Sequence, residues 1–206
     1  MFKEPHIAMI KDWKGYKAYK KLPKTVFLMT GSMLELPERV YELQKHGHDV
    51  FLHCDFIQGL NTNTEEALLY IQDVIGAQGI ISTKGSTIRN ANKIGLKTIQ
   101  RIFIVDTLSL TKSIENCKTT KPNAVEIMPG IMPSIIKQLA EKIEFPIIAG
   151  GLIQTREDAE IAIRAGASAI STSHYEVWIQ EEKGVQPCDR IERCFKDIYK
   201  CGRDSG

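Results

Sequence analysis

Two short apolar runs in the second half of the chain stop abruptly at small residues. They are PIIAGG at residues 146–151 and AISTS at residues 169–173. Gly150 and Gly151 have no Cβ, so the backbone there can approach a bound group closely. Ser171 and Thr172 supply hydroxyls, and backbone N–H groups follow in each turn. Two such turns side by side form a concave anion site, and phosphate is its usual occupant. The sequence therefore predicts that a small phosphorylated molecule binds here.

Polar side chains also follow other apolar runs, and they are candidates to contact the rest of a bound molecule. They are Asp55, Lys84, Asp106 and Glu126. Carboxylates accept hydrogen bonds from hydroxyls, so Asp55 and Glu126 suit a polyol, while Lys84 can neutralise part of a phosphate's charge. The same side chains can also perform acid–base chemistry. Structural roles compete, because Asp106 can cap the following helix and Glu126 can pair with a buried Arg101.

Eight short apolar runs along the chain provide the elements that must position these side chains. They lie at residues 6–10, 25–31, 49–56, 79–83, 98–106, 124–130, 146–151 and 168–173. Most are continuously apolar, which is typical of parallel strands covered on both faces. His53 lies inside the third run, where a buried core histidine is more common than a catalytic base.

Segments of helical period separate several of these runs. They lie at residues 34–45, 64–75, 134–143 and 156–165, with Ser32, Thr64 and Thr155 as N-cap candidates and Ile161, Ile163 and Ala165 on the apolar side of the last segment. The alternation predicts an α/β fold, a single-domain (β/α)8 TIM barrel over residues 1–180. In such barrels a phosphate commonly binds after strands seven and eight. A doubly wound open sheet is the alternative, but no GxGxxG follows the first strand.

Composition excludes several classes of protein. With 206 residues and 43% hydrophobic residues the chain can build one substantial core, and its net charge of +2 neither requires nor excludes a nucleic-acid partner. No run approaches the roughly 20 apolar residues of a membrane span, and the amino terminus lacks a signal-peptide core. Five cysteines without a CxxC pair indicate reduced thiols, no metal site and a cytoplasmic location. Residues 181–206 are expected to form a C-terminal helix or tail that closes or extends the barrel.

Lysines are dense after the first apolar run. The candidates for RNA contact are Lys14, Lys17, Lys20 and Lys21, which have Trp13, Tyr16 and Tyr19 among them. A basic face with aromatic side chains can bind single-stranded RNA by phosphate contacts and stacking. A solvated helix face explains the same lysines, and the residues alone favour that simpler interpretation.

Six motifs taken together resemble one family, the glycerol uptake operon antiterminator regulatory proteins. They are HCDFIQGL (53–60), GIISTKG (79–85), TIQRIFIVDT (98–107), AVEIMPGIMP (124–133), PIIAGGLI (146–153) and AGASAISTS (165–173), followed by Trp178. The resemblance implies a TIM barrel that senses sn-glycerol 3-phosphate. It also implies binding to the leader mRNA of glycerol-catabolism genes when that effector is present, so that polymerase reads through a terminator. No catalytic residue, metal or cofactor is implied.

The resemblance also assigns residues by motif. The phosphate would contact Gly150, Gly151, Ser171 and Thr172, and the glycerol end would face Asp55, Lys84 and Glu126. Leader mRNA and the small phosphorylated effector are the expected partners, a homo-oligomer is possible, and a membrane is not expected. In the family, the first strand usually leads into a short basic motif that contains arginine. This chain reads MIKDW there, so it departs from the family and Lys11 is the corresponding basic residue.

Two other functions remain open from the residues alone. One is a TIM-barrel enzyme, an isomerase, epimerase or synthase acting on a small phosphorylated sugar or polyol, with Asp55 and Glu126 as acid and base. The other is a non-catalytic sensor whose target is a protein. The fold cannot separate these functions, because TIM barrels host many chemistries.

Overall fold

The computed structural model describes residue 2, residues 4–19 and residues 21–178 of the chain. Eight parallel strands in this part pair in sequence order, and β8 returns to pair with β1, which closes the barrel. The strands are β1 His6–Ile10, β2 Thr25–Leu28, β3 Asp49–His53, β4 Gly79–Ser82, β5 Lys97–Phe103, β6 Ala124–Met128, β7 Ile147–Gly150 and β8 Ala169–Thr172. The closed order confirms the predicted TIM barrel and excludes an open doubly wound sheet.

Helices follow the strands and cover the outside of the barrel. They are α1 Leu36–Lys45, α2 Glu65–Leu69, α3 Gly85–Lys93, α4 Thr107–Thr120, α5 Pro133–Ala140, α6 Arg156–Arg164 and α7 Tyr175–Trp178. The chain of α2 continues as a π-helical segment, Tyr70–Ile75, and two short 3-10 helices occupy Gly15–Ala18 and Cys54–Phe56.

Three of the predicted helix starts are confirmed by side-chain caps. Thr64 accepts a hydrogen bond from the Ala67 N–H, and Asp106 and Thr155 each form a capping box. Ser32 is not a cap, because α1 begins four residues later and its N-cap is Glu35, whose carboxylate accepts hydrogen bonds from Ser32.

The apolar side predicted for α6 is wrong. Its buried residues are Ala159 and Ala162, whereas Ile163 is exposed. Ile161, Ile163 and Ala165 are spaced by two, which matches the period of a strand and not the three- to four-residue spacing of one helix face.

The apolar core lies in two layers. An inner cluster fills the barrel with one residue from each strand: Ile7, Phe27, Phe51, Ile81, Ile99, Ala124, Ile148 and Ala169. A larger outer layer fills the space between the barrel and its helices. Because strand side chains alternate, the residue two positions after an inner one also faces the interior. Residues 9, 53, 101, 126, 150 and 171 therefore form the next layer, towards the carboxyl ends of the strands.

None of the described helices is both long and apolar enough to cross a lipid bilayer. The predicted tail at residues 181–206 lies outside the described residues, as do Lys20 and the last three cysteines of the chain. Cys54 and Cys117 are buried free thiols.

Candidate functional site

The two glycine- and serine-rich turns lie side by side at the carboxyl end of the barrel. Strands β7 and β8 are neighbours, and Gly150 is in register with Ser171. A cavity of about 190 Å³ opens beside these turns. It is lined by Met9, Lys11, residues 151–154 and residues 171–174. The structure therefore brings both predicted turns to one concave site and adds the end of β1 to it.

Each glycine of the first turn is required for a different reason. A Cβ at Gly150 would lie only 2.5 Å from Ser171 Oγ and 2.6 Å from Glu126 Oε1. Gly151 has a φ of +74°, which side-chain-bearing residues rarely adopt. Leu152 follows with a φ of +61° and is exposed, an uncommon conformation for a bulky residue. Such strained positions concentrate at ligand sites, and this turn lines the cavity.

The hydroxyls of the second turn contact protein atoms. Ser171 Oγ donates to Glu126 Oε1 at 2.5 Å. Thr172 Oγ1 donates to the Ile153 carbonyl at 2.7 Å and accepts from the His174 N–H at 3.1 Å. These bonds tie the two turns together and hold the shape of the cavity wall.

Backbone amides remain as donors for an anion. Within the described chain, the N–H groups of Leu152, Ile153 and Ser173 donate to no backbone or side-chain oxygen. All three residues line the cavity, and Lys11 adds a positive charge to its wall. The arrangement combines free amides with a cation, as phosphate sites do.

The three residues predicted for the glycerol end occupy different environments. Asp55 follows β3, and its carboxylate accepts hydrogen bonds from Ser82 Oγ, Thr83 Oγ1 and the Thr83 N–H at 2.7–2.9 Å. Lys84 is exposed and is the N-cap residue of α3. Glu126 is fully buried inside the barrel. Asp55 thus holds the loop after β4 in place, whereas the Lys84 side chain is exposed near the carboxyl end of β4.

Glu126 belongs to a buried ion pair. Its Oε2 accepts from Arg101 Nε at 2.7 Å, and Arg101 is only 3% exposed. This geometry confirms the pairing that the sequence offered as one alternative, because a buried charge needs a partner. Ser171 satisfies the other carboxylate oxygen, so the pair connects the cavity wall to the barrel interior.

His53 lies on the same interior layer and is fully buried. Burial is the main cause that lowers its pKa to about 3; the Arg101 charge acts in the same direction and the Asp55 carboxylate opposes it. His53 is therefore neutral near pH 7, with a proton on one ring nitrogen and a lone pair on the other.

The lysines predicted for RNA contact lie on the segment between β1 and β2. Lys14, Lys17 and Lys21 are exposed, and Lys20 lies outside the described residues. Lys17 pairs with Glu42 at 3.3 Å and sits over the Trp13 ring. The neighbouring aromatic side chains pack on protein: Trp13 against Tyr16, and Tyr19 stacked on Tyr175.

Sequence reasoning missed several residues of the cavity wall. Met9, Gln154 and His174 line it, although none of them was a candidate, and Lys11 became a site candidate only through the resemblance. Their positions could have indicated this role, because each lies at or after the carboxyl end of β1, β7 or β8. Among the described residues, no three His, Cys, Asp or Glu side chains come together as a metal site.

Comparisons with known proteins agree with this architecture. The family model for glycerol-3-phosphate responsive antiterminators matches residues 6–178. The protein YgcP of Escherichia coli (strain K12) is 34% identical over 180 residues, which are 87% of this chain and 94% of YgcP.

Two crystal structures are similar in sequence and in fold. The glycerol uptake operon antiterminator regulatory protein of Listeria monocytogenes str. 4b F2365 is 30% identical with a TM-score of 0.80, and the match covers 85% of this chain and 95% of that one. A glycerol uptake operon antiterminator-related protein of Thermotoga maritima MSB8 is 32% identical with a TM-score of 0.77, over 86% and 99% of the two chains.

Proposed function

The chain belongs to the family of glycerol-3-phosphate responsive antiterminators, and we propose that it binds sn-glycerol 3-phosphate in the cavity at the carboxyl end of its barrel and leader mRNA when that effector is bound. Its role would be to control genes of glycerol uptake and catabolism in the cytoplasm, where transcripts are made. The effector is a ligand and is not consumed, and no cofactor takes part.

One observation supports the position proposed for the phosphate. The N–H groups of Leu152, Ile153 and Ser173 have no acceptor among the described residues, and all three residues line a cavity that Lys11 also lines. Backbone donors that converge beside a cation stabilise a phosphate through charge-assisted hydrogen bonds. Gly150, Gly151, Ser171 and Thr172 then have a supporting role: the glycines allow the backbone to take this path, and the hydroxyls fix it.

The remaining groups at the mouth suit the glycerol end of the effector. Lys84 is exposed at the start of α3 and can reach a ligand oxygen. Asp55 and Glu126 already accept hydrogen bonds from protein donors, so their proposed contribution is to position the loop after β4 and the interior beneath the cavity.

The RNA surface is proposed on the segment that follows Lys11. Lys14, Lys17 and Lys21 are exposed there, and Lys20 falls between them in the chain. Exposed ion pairs such as Lys17–Glu42 contribute little to the stability of the fold, so an RNA phosphate can compete with Glu42 for Lys17. Because Lys11 reaches the cavity and this segment starts directly after it, a phosphate bound at Lys11 would also order the lysines.

Calorimetric titration with sn-glycerol 3-phosphate at fixed ionic strength tests the site. Lys11→Ala should weaken binding by about tenfold or more, since a charge-assisted hydrogen bond contributes roughly 1.5–3 kcal/mol. Lys142→Ala is the matched control, because Lys142 is exposed near the amino end of β7, at the opposite end of the barrel. Equal affinities of the two variants would remove Lys11 from the phosphate site.

The enzyme alternative is tested in the same samples. An isomerase or epimerase that used Asp55 and Glu126 as acid and base would convert the ligand or exchange its carbon-bound protons with solvent. NMR of sn-glycerol 3-phosphate in D2O with the protein should show neither change over hours. Conversion or exchange that disappears in Glu126→Gln would establish the enzyme instead.

A further inference from the structure

A row of polar side chains crosses the barrel interior just beneath the cavity. It runs from Ser171 on β8 through Glu126 on β6 and Arg101 on β5 to His53 on β3, and we call it the polar row. Hydrogen bonds join the first three residues, and the Arg101 charge acts on His53. The gap left by Gly150 allows Ser171 to reach Glu126 across β7. Below this level the interior is the apolar inner cluster.

The residues of the polar row differ in how many of their polar atoms are hydrogen-bonded. Each Glu126 oxygen has a protein donor. By contrast, Arg101 Nη2 and both ring nitrogens of His53 have no partner among the described residues, although the side chains are 3% and 0% exposed. Buried polar groups in folded proteins are nearly always hydrogen-bonded. This unbonded cluster, which Glu126 connects to the cavity residue Ser171, is therefore a candidate to bind a ligand group.

The polar row is continuous with the cavity. Ser171 belongs to both, and Met9, which also lines the cavity, lies in the same interior layer, two residues after the inner-cluster residue Ile7. A ligand held by its phosphate at the β7 and β8 turns would therefore meet the polar row at Ser171, and its other end would reach Arg101 past the Ser171–Glu126 hydrogen bond, which fills the space beside Gly150.

We propose that Arg101 and His53 bind the hydroxyl-bearing end of the effector, so that the polar row selects a polyol phosphate over a phosphate with an apolar tail. Arg101 Nη2–H would donate to a ligand hydroxyl, and the same or the adjacent hydroxyl would donate to the unprotonated nitrogen of His53. This inference rests on the proposed function, because it assumes that the phosphate lies in the cavity.

The chemistry of the two partners favours hydroxyls over charged groups. Arg101 can only donate, whereas neutral His53 offers one donor and one acceptor, and a hydroxyl can satisfy both residues. A second anionic group would meet the Glu126 carboxylate, and a cationic group would meet the Arg101 guanidinium, so both are disfavoured in this interior. Hydroxyl recognition by buried polar groups is also selective, because a ligand without the hydroxyl leaves those groups unpaired.

The test compares sn-glycerol 3-phosphate with propyl phosphate, which has the same chain length and no hydroxyls. The quantity measured is the ratio of the two dissociation constants by calorimetry, and wild type should prefer the polyol phosphate by about 30-fold or more. His53→Leu, and Arg101→Lys, which keeps the charge beside Glu126 but lacks the second guanidinium nitrogen, should each reduce that preference by about tenfold. Affinity for propyl phosphate should change by less than about threefold.

Gln100→Met is the matched control. Gln100 is also buried with an unbonded Nε2, but it bonds Thr120 on α4, outside the barrel. Its variant should keep the wild-type ratio, and circular dichroism checks that every variant is folded. An unchanged ratio in a folded His53→Leu would overturn the inference while the proposed function stands. Failure of wild type to bind either phosphate would overturn the proposed function, and the inference with it.

Discussion

Ser171 Oγ lies 2.5 Å from Glu126 Oε1, so a residue in the wall of the cavity is hydrogen-bonded to a carboxylate buried in the middle of the barrel. Through Glu126 the contact extends to Arg101. Hydrogen bonds therefore connect the end of β8 to the charged side chains of the interior. This connection requires that residue 150 has no side chain.

The hydroxyl of Ser171 should contribute measurably to stability. Ser171→Ala leaves one oxygen of a buried carboxylate without a donor, and hydrogen bonds to charged groups contribute about 1.5–3 kcal/mol. We expect the free energy of unfolding in urea to fall by about 2 kcal/mol. Ser173→Ala, in the same turn but without that bond, should change it by less than about 0.5 kcal/mol. Equal losses in the two variants would mean that the Ser171–Glu126 bond contributes nothing.

The Arg101–Glu126 pair should show strong coupling. Arg101→Met leaves a buried carboxylate without its cation, which typically costs about 3–5 kcal/mol. Removing both charges in Arg101→Met with Glu126→Met should be less damaging than Arg101→Met alone, by about 1–3 kcal/mol. Urea denaturation of wild type, both single variants and the double variant measures this coupling. Additive losses would show that the two side chains do not interact in solution.

Gly150 should tolerate no side chain. The Cβ of Gly150→Ala would overlap Ser171 Oγ and Glu126 Oε1, neither of which can move without breaking the buried pair. We expect a loss of about 3 kcal/mol in the free energy of unfolding and loss of effector binding. Gly95→Ala is a control with a φ of +78° but open space around its Cβ, and it should cost only about 1 kcal/mol. A Gly150→Ala protein as stable as Gly95→Ala would contradict the packing described.

His53 should make the protein less stable in acid. Its folded pKa is about 3 against 6.5 in the unfolded chain, so between these values only the unfolded state takes up the proton. The unfolded state then binds more protons, and the free energy of unfolding falls as the pH drops through this window.

From pH 7 to pH 5 the protonation of His53 in the unfolded state lowers the free energy of unfolding by about 2 kcal/mol, at about 1.4 kcal/mol for each pH unit below 6.5. Urea denaturation at both pH values should show that His53→Leu loses about 2 kcal/mol less than wild type. His53→Leu should also be more stable than wild type at pH 7, since it removes an unbonded buried polar group. Parallel pH profiles would indicate that His53 titrates normally.

The strands and the position of the two turns could be predicted because their signals are local. Continuous apolar runs and the glycines and serines that end them are visible in the sequence itself, and the barrel order confirms them. Predicted runs extended past the carboxyl ends of several strands; the third, for example, included residues 54–56, which form a short 3-10 helix. Apolar content does not show where the ladder of hydrogen bonds stops.

The contacts of the site could not be predicted, because they depend on closure of the barrel. Only the pairing of β1 with β8 brings Lys11 beside Gly151 and Ser171. Residue type suggested that Ser171 faces a ligand, but its hydroxyl turns inward to Glu126 because Gly150 leaves that path open. His53 was interpreted as a core histidine; it is buried, yet its nitrogens have no partner among the described residues.

The most direct test of the proposed regulator measures RNA affinity with and without effector. A labelled leader RNA that contains a terminator hairpin is titrated by fluorescence anisotropy at fixed salt, in the absence and presence of saturating sn-glycerol 3-phosphate. The effector should tighten RNA binding by at least about tenfold, and saturating RNA should tighten effector binding by the same factor. RNA affinity that is identical with and without the effector would contradict the account.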